Sequence, residues 1–455
     1  MKQRRGKRRL ARGQAQAVRL LTVDTIEEAR RKLLGCVSRP GSRWGLRAEP
    51  VGLEQALGRV LAEDVAAPED MPAFSRSAVD GYAVIAADTA GAGEAMPVLL
   101  RLAGAVEMGK PAGFALRRGE CAYVPTGGML PGGADAVAML ESAEAFGPAP
   151  ASAAPPSAPT PNAPLAGAPP AGEIAVYESA AVGSHVIRAG EDLRRGDILL
   201  RRGARLRSHE IGALAAAGIS AAPALLPLRI SIISSGDELA PCRAQPAPGQ
   251  IRDANAPALR ALAMESGYRV AGARAVRDDE KALADAVREA MAQSDVVALS
   301  GGSSQGEKDL TAKVFSGLAS PGVFTHGLAL KPGKPAILAW DEKTETVLAG
   351  LPGHPVSALM AFRLLLSWLA RRVAGQKEPL PVPAKIACSL PGSPGRACCQ
   401  PVALRPCEGG YLAEPVYGKA GLIASLAGAD GYIVIDRNRE GLRKGEPVQV
   451  FLWDR

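Results

Sequence analysis

Histidine is scarce in this 455-residue chain, with four copies in all, and the seven cysteines contain no CxxC pair. A structural zinc clip and a disulfide framework are therefore not expected. Cys398 and Cys399 are neighbours, a spacing that suits neither an unstrained disulfide nor a metal clip. All seven cysteines read as core or surface thiols. No apolar h-region follows the N-terminus, and the most hydrophobic helix candidate, starting at Val356, carries Arg363 in its middle. A secretory signal and a membrane span are thus not expected, and a cytoplasmic location is. Aromatics are only 4% of the chain. The net charge of +8 is concentrated at the start, where Lys2, Arg4, Arg5, Lys7, Arg8, Arg9 and Arg12 occur before any acid. The remainder is close to neutral, so the basic tail 1–19 reads as a solvated, disordered end and a nucleic-acid partner is not favoured.

What is present is enough apolar material, 47% of residues, for more than one hydrophobic core, and the length points to several domains. Residues 147–172 contain nine prolines and almost no large apolar side chain. This stretch reads as a flexible insertion. On either side of it, residues 67–195 are Gly-punctuated short segments, the pattern of an all-β domain. Residues 20–66 and 196–224 carry helical periodicity and are expected to pack together as one discontinuous helical domain. From residue 225 to 375 strand and helix alternate, which predicts a parallel sheet covered on both faces. Residues 376–455 read as a small C-terminal β domain. The fold class is thus multidomain α/β and β.

In an open parallel sheet, ligands bind beyond the carboxyl ends of the strands. Three marked stretches fall there: SSGDEL (234–239), SGGSSQGEKD (300–309) and LPGHPVS (351–357). Glycines let backbone N–H groups approach an anion, serines add donors, and a helix N-terminus adds positive potential. Ser235, Gly236, Asp237, Ser300, Gly301, Gly302, Ser303, Gly306 and Lys308 are accordingly candidates for a phosphate cradle. So are Pro352, Gly353, His354, Pro355 and Ser357 of the third stretch. Glu238, Glu307 and Asp309 could hold Mg²⁺, a hard cation that prefers carboxylate and water oxygen. Lys331 and Lys334, flanking Pro332 and Gly333 in KPGKP, would add positive charge for phosphate or oxyanion oxygens. Each motif alone also fits a plain turn, and Asp278 or Asp309 could simply start a helix. Their common place at strand ends favours the binding reading. Sequence physics alone would not single out Asp80 or Thr126, both in turn-rich stretches of the β domain.

The stretches AVDGYAV, PTGGMLPGGADAV, AGED, SSGDEL, GQIRDAN, SGGSSQGEKD, KPGKP and GLPGHPVS occur in the same order as in the molybdopterin molybdenumtransferases, the family of bacterial MoeA and the gephyrin E domain, and the chain resembles that family from about residue 20 to 455. The resemblance implies an elongated four-domain homodimer with sites shared between subunits. It implies that adenylylated molybdopterin and molybdate are the substrates, that the phosphoanhydride is cleaved with release of AMP, and that Mg²⁺ is required. By motif it assigns catalytic roles to Asp80, Thr126, Glu238, Asp278, Asp309, Lys331 and Lys334, and a binding role to Asp192. The adenylyltransferase that supplies the substrate and proteins that deliver the cofactor to molybdoenzymes are the implied partners. The chain departs from the family pattern at Ser75-Arg76, His354 and Ser303-Ser304, and Arg188 is displaced by one residue. An adenylyltransferase and a non-catalytic molybdopterin-binding scaffold are the alternative functions.

Overall fold

The computed structural model describes residues 23–39, 42, 44, 47–146, 172–301 and 310–453. The basic tail and nearly all of the Pro-rich insertion lie outside these residues, as do Gly302, Ser303, Gly306, Glu307, Lys308 and Asp309. The chain forms two compact units, one made of parts of Met1–Glu49, Gly58–Ala62 and Pro223–Arg455, the other of Pro50–Leu57 and Glu63–Ala222.

In the first unit, helix α1 (Ile26–Val37) opens with a capping box, in which Thr25 Oγ1 accepts from the Glu28 N–H and the Glu28 carboxylate accepts from the Thr25 N–H. These bonds satisfy two orphan donors of the first turn. Ile26, Ala29, Leu33 and Val37 recur at helical spacing and are buried, in one core with Leu365, Leu369 and Trp340. The first helix therefore packs into the α/β unit, whereas the helix Ser208–Ala216 belongs to the second unit. That distribution differs from the expected single discontinuous helical domain, because periodicity reveals a buried face without revealing what covers it.

The α/β region runs β1 (Arg229–Ser235), α2 (Asn255–Glu265), β2 (Arg269–Val276), α3 (Glu280–Gln293), β3 (Val296–Ser300), α4 (Leu310–Leu318), β4 (Pro321–His326), β5 (Ile337–Asp341), β6 (Thr346–Leu351) and α5 (Pro355–Phe362). The strands lie in the order β2-β1-β3-β6-β5-β4. The first four are parallel, as expected, while β5 is antiparallel to both neighbours. The link at residues 342–345 is too short for a crossover, so β5 and β6 can only form a hairpin. Successive strand residues face opposite sides. Ile230 and Ile232 share a core with α1, α2 and α5, and Ile233 shares one with α3 and α4. Burial on both faces explains the unbroken apolar runs of β1, β3 and β6.

After α5, the strands Val382–Ile386, Ala397–Cys407, Gly410–Pro415, Gly431–Ile435 and Pro447–Leu452 pair in a closed ring, a small barrel. Leu330–Lys331, between β4 and β5, pairs in parallel with the start of Ala397–Cys407. The second unit is built on a six-stranded sheet in which Gly81–Val84 lies between Glu120–Val124 and Ala136–Met139. At its far edge Ala143–Phe146 pairs antiparallel with Glu173–Val176, and Phe146 stands opposite Glu173. The two ends of the Pro-rich insertion thus emerge from adjacent positions of one ladder.

Candidate functional site

The parallel register sets Ser234 of β1 opposite Ser300 of β3, and Ser300 opposite Leu351 of β6. Three connecting segments therefore leave the sheet at one level, at its carboxyl edge. At Gly301 they are close enough to need glycine. Gly301 has φ +107°, and a Cβ there would collide with the carbonyl of Ser235. A Cβ on Gly353 would lie 3.8 Å from the Gly301 Cα, and one on Gly333 would lie 3.8 Å from the Ser357 carbonyl oxygen. The structure thus brings together SSGD, SG, PGHPVS and the KPGKP turn, which are far apart in sequence.

Hydrogen bonds fix several of these side chains. The buried Ser235 hydroxyl donates to Asp278 Oδ1. The Asp278 N–H donates to Asp237 Oδ1 at 3.4 Å. Helix α3 is capped instead by Asp279, whose side chain accepts from the Ala282 N–H at 2.8 Å. Asp278 is therefore not needed as a cap and is left to orient Ser235. Glu238 is exposed and its carboxylate lies over Gly236. At α5, Pro355 has no N–H to offer and the Val356 N–H is taken by the Ala420 carbonyl at 3.1 Å. The buried Ser357 follows in the first turn, and the ring of exposed His354 lies 3.4 Å from where a Cβ on Gly421 would stand. The exposed Lys331 is anchored by its strand pairing opposite Cys398, and the carbonyl of Lys334 accepts from the Leu328 N–H at 2.8 Å. Burial pushes the Cys398 thiol up, against the opposing pull of Lys331 and Arg396.

Sequence reasoning did not single out Asn255. Its side-chain amide donates to Ser300 Oγ and to the Gly353 carbonyl, both at 2.7 Å. The signal available was its place in the GQIRDAN stretch, where Asp253 performs the capping that an Asx residue before a helix suggests.

In the second unit, the exposed Asp80 accepts from the Thr126 N–H at 2.8 Å. Gly81 anchors this loop, since a Cβ there would collide with the Ala138 carbonyl. Arg188 and Asp192 line a cleft of about 660 Å³ together with Glu191, Arg194 and Asp197. The backbone N–H of Arg188 donates to Glu191 Oε2 at 2.7 Å, and that of Asp192 to the Met71 carbonyl at 3.0 Å.

Among the described residues no three His, Cys, Asp or Glu side chains are grouped to hold a metal ion, and no helix is long and apolar enough to cross a membrane. All seven cysteines are free.

A mixed α/β sheet with glycines at its carboxyl edge, joined to a small β barrel and a separate β unit, defines a MoeA-like multidomain fold. Three family models together match most of the chain between residues 24 and 453. The MoeA N-terminal region (domain I and II) matches residues 24–218, a domain described as "probable molybdopterin binding domain" matches 231–371, and the MoeA C-terminal region (domain IV) matches 383–453. The molybdopterin molybdenumtransferase of Haemophilus influenzae is 29% identical over 94% of this chain and 98% of its own length. Molybdopterin molybdenumtransferase 2 of Mycobacterium tuberculosis is 30% identical over 72% of this chain and 76% of its own. Two crystal structures of molybdopterin biosynthesis MoeA protein from Pyrococcus horikoshii, 34% and 27% identical, each give a TM-score of 0.72 and cover 94% and 95% of this chain and 99% and 100% of theirs. The chain belongs to the molybdopterin molybdenumtransferase family and is a transferase of molybdenum cofactor biosynthesis.

Proposed function

We propose that this enzyme inserts molybdate into adenylylated molybdopterin, cleaving the phosphoanhydride and releasing AMP. The observation that carries the reading is the convergence of Ser235, Gly301, Gly353 and Ser357 at one sheet edge, which supplies the close backbone approach that a pyrophosphate needs. Gly301 and Gly353 keep side chains out of the cradle. Ser235, whose proton goes to Asp278, turns a lone pair outward that suits a cation or a water, and Lys331 and Lys334 add cationic charge for phosphate or molybdate oxygens. Ser303, Gly306 and Lys308 are assigned to the same cradle by sequence. Asp80 and Thr126, joined by one hydrogen bond, are assigned to a loop that completes the site of the second chain in a homodimer. Asp192 is placed with them.

Mg²⁺ fits the donor chemistry in one respect: Glu238 is an exposed carboxylate with no ion pair or hydrogen bond among the described residues. Mg²⁺ is commonly held by one or two carboxylates together with waters and substrate phosphates. Glu238 would hold it with Glu307 and Asp309, and bound there it would neutralise phosphate charge. A cytoplasmic location, the adenylyltransferase that makes the substrate, and cofactor-delivery proteins complete the proposal.

The test is incubation of the purified protein with adenylylated molybdopterin, molybdate and Mg²⁺, with AMP followed by chromatography. Molybdate-dependent AMP release that is abolished by a chelator is expected. ATP consumption in place of AMP release would mark an adenylyltransferase, and binding without release would mark a scaffold.

A further inference from the structure

We propose that Asn255 is a positioning residue of this site: its side-chain amide fixes the end of β3 against the turn that starts α5. The proposal rests on the reading just given for what binds there. Asn255 Nδ2 lies 2.7 Å from Ser300 Oγ and 2.7 Å from the Gly353 carbonyl oxygen. A carbonyl can only accept, so the atom facing Gly353 must be the nitrogen, and the orientation of the amide is settled by its partners. One NH₂ group therefore spends both protons on two different segments, one just before Gly301 and the other just before His354.

Among the described residues, neither segment has a strong alternative tie at that point. Ser300 Oγ reaches the Pro352 carbonyl only at 3.4 Å, and the Gly301 N–H reaches the Leu351 carbonyl at 3.4 Å. Both separations are beyond a good hydrogen bond. The two bonds from Asn255 are the short ones. The spacing between the bare backbone of Gly301 and the first turn of α5 is thus set by a side chain from a third segment.

The amide is also spared the duty that its position suggests. Asn255 is the first residue of α2, but Asp253 Oδ1 accepts from the N–H groups of both Asn255 and Ala256 at 3.0 Å. The helix start is satisfied without the Asn255 side chain. Removing that side chain therefore disturbs the two segments it holds and leaves the helix cap in place.

The test uses the full-length protein as wild type, Asn255→Ala and Asn255→Asp. Two neutral hydrogen bonds are lost in Asn255→Ala, so kcat for AMP release is expected to fall roughly tenfold to a hundredfold. Hydrogen–deuterium exchange is expected to rise over residues 351–358 and stay unchanged over 256–265. In Asn255→Asp an ionised carboxylate would face the Gly353 carbonyl and could not donate to it, and protonation would restore one donor. Its activity should therefore recover in part as the pH falls from 7 to 5, with no such rise in wild type. The proposal is overturned if Asn255→Ala turns over within twofold of wild type, if exchange rises along α2 instead, or if Asn255→Asp follows the wild-type pH profile. The exchange arm needs no turnover, so it decides the role of Asn255 even if wild type releases no AMP.

Discussion

Replacing Gly301 by Ala tests the crowding at the sheet edge directly. At φ +107° the backbone is in a region that residues with a Cβ seldom occupy, and the added methyl would collide with the Ser235 carbonyl. The backbone strain alone costs about 1–3 kcal/mol. Relief of the clash must push β1 and the β3 loop apart, and since Ser235 and Gly301 are backbone there, no flexible side chain can yield. A total of about 2–4 kcal/mol is expected, which for a unit of this size is a fall in Tm of roughly 5–10 °C. Gly353→Ala is the internal control. Its φ is not positive, and among the described residues the nearest atom to the new methyl is the Gly301 Cα at 3.8 Å, an ordinary contact. Differential scanning calorimetry of both variants, with AMP release measured beside it, separates fold from function. Equal Tm shifts for the two variants, or a Gly301→Ala shift under about 1 °C, would refute the reasoning, because they would mean that the close approach is not a constraint on the native state.

Replacing residues 147–172 with an Asn-Gly turn should leave Tm unchanged or raised by a few degrees, since Phe146 and Glu173 already face each other and shortening the loop recovers about 2 kcal/mol of closure entropy at most; a large loss of Tm would show that the insertion packs. Asp80→Ala and Asp278→Ala proteins, each inactive alone, should regain roughly a quarter of wild-type activity when refolded together if sites are shared across a twofold dimer, and none if each chain completes its own site. Burial pushes the Asp341 carboxyl up, but hydrogen bonds from the Thr344 hydroxyl and N–H and the Ser320 N–H outweigh it and hold it below its usual value. A depressed carboxylate stabilises the fold above its unfolded pKa of about 3.9 and loses that contribution as the pH falls through the lower folded value. Asp341→Asn should therefore lower the denaturation midpoint at pH 7, and the gap to wild type should close towards pH 3.

The candidate site was legible in part because its ingredients are local. Gly301 and Gly353 follow apolar strands, and a glycine at a strand end in a parallel sheet already points to the ligand edge. The capping residue of α3 was not legible: Asp278 and Asp279 stand side by side, and only the turn geometry gives the cap to the second and frees the first for Ser235. Asn255 was hidden for a related reason, since an Asn at a helix start reads as a cap until another residue is seen to do that work. At the level of the fold, the alternation from β1 to α5 was clear, but the reversal at β5 depended on the length of one short link. The partner of α1 was out of reach, because its buried stripe of Ile26, Ala29, Leu33 and Val37 would suit any apolar surface. Closure of the C-terminal strands into a ring was equally invisible, since it depends on pairings such as Cys398 with Ile435 and Val382 with Val450.

The short ladder between Leu330–Lys331 and Ala397–Cys398 bears on motion. Its backbone is shared with the C-terminal barrel, reinforced by the Ala397 N–H bonded to the Ala329 carbonyl at 2.8 Å. A segment held in this way cannot swing like a lid without breaking main-chain hydrogen bonds, so the backbone carrying Lys331 is preset rather than recruited by substrate. On the proposed function, mutations that loosen the barrel would show themselves as a less well-placed lysine, and their kinetic signature would be a lower rate of chemistry with product release unchanged.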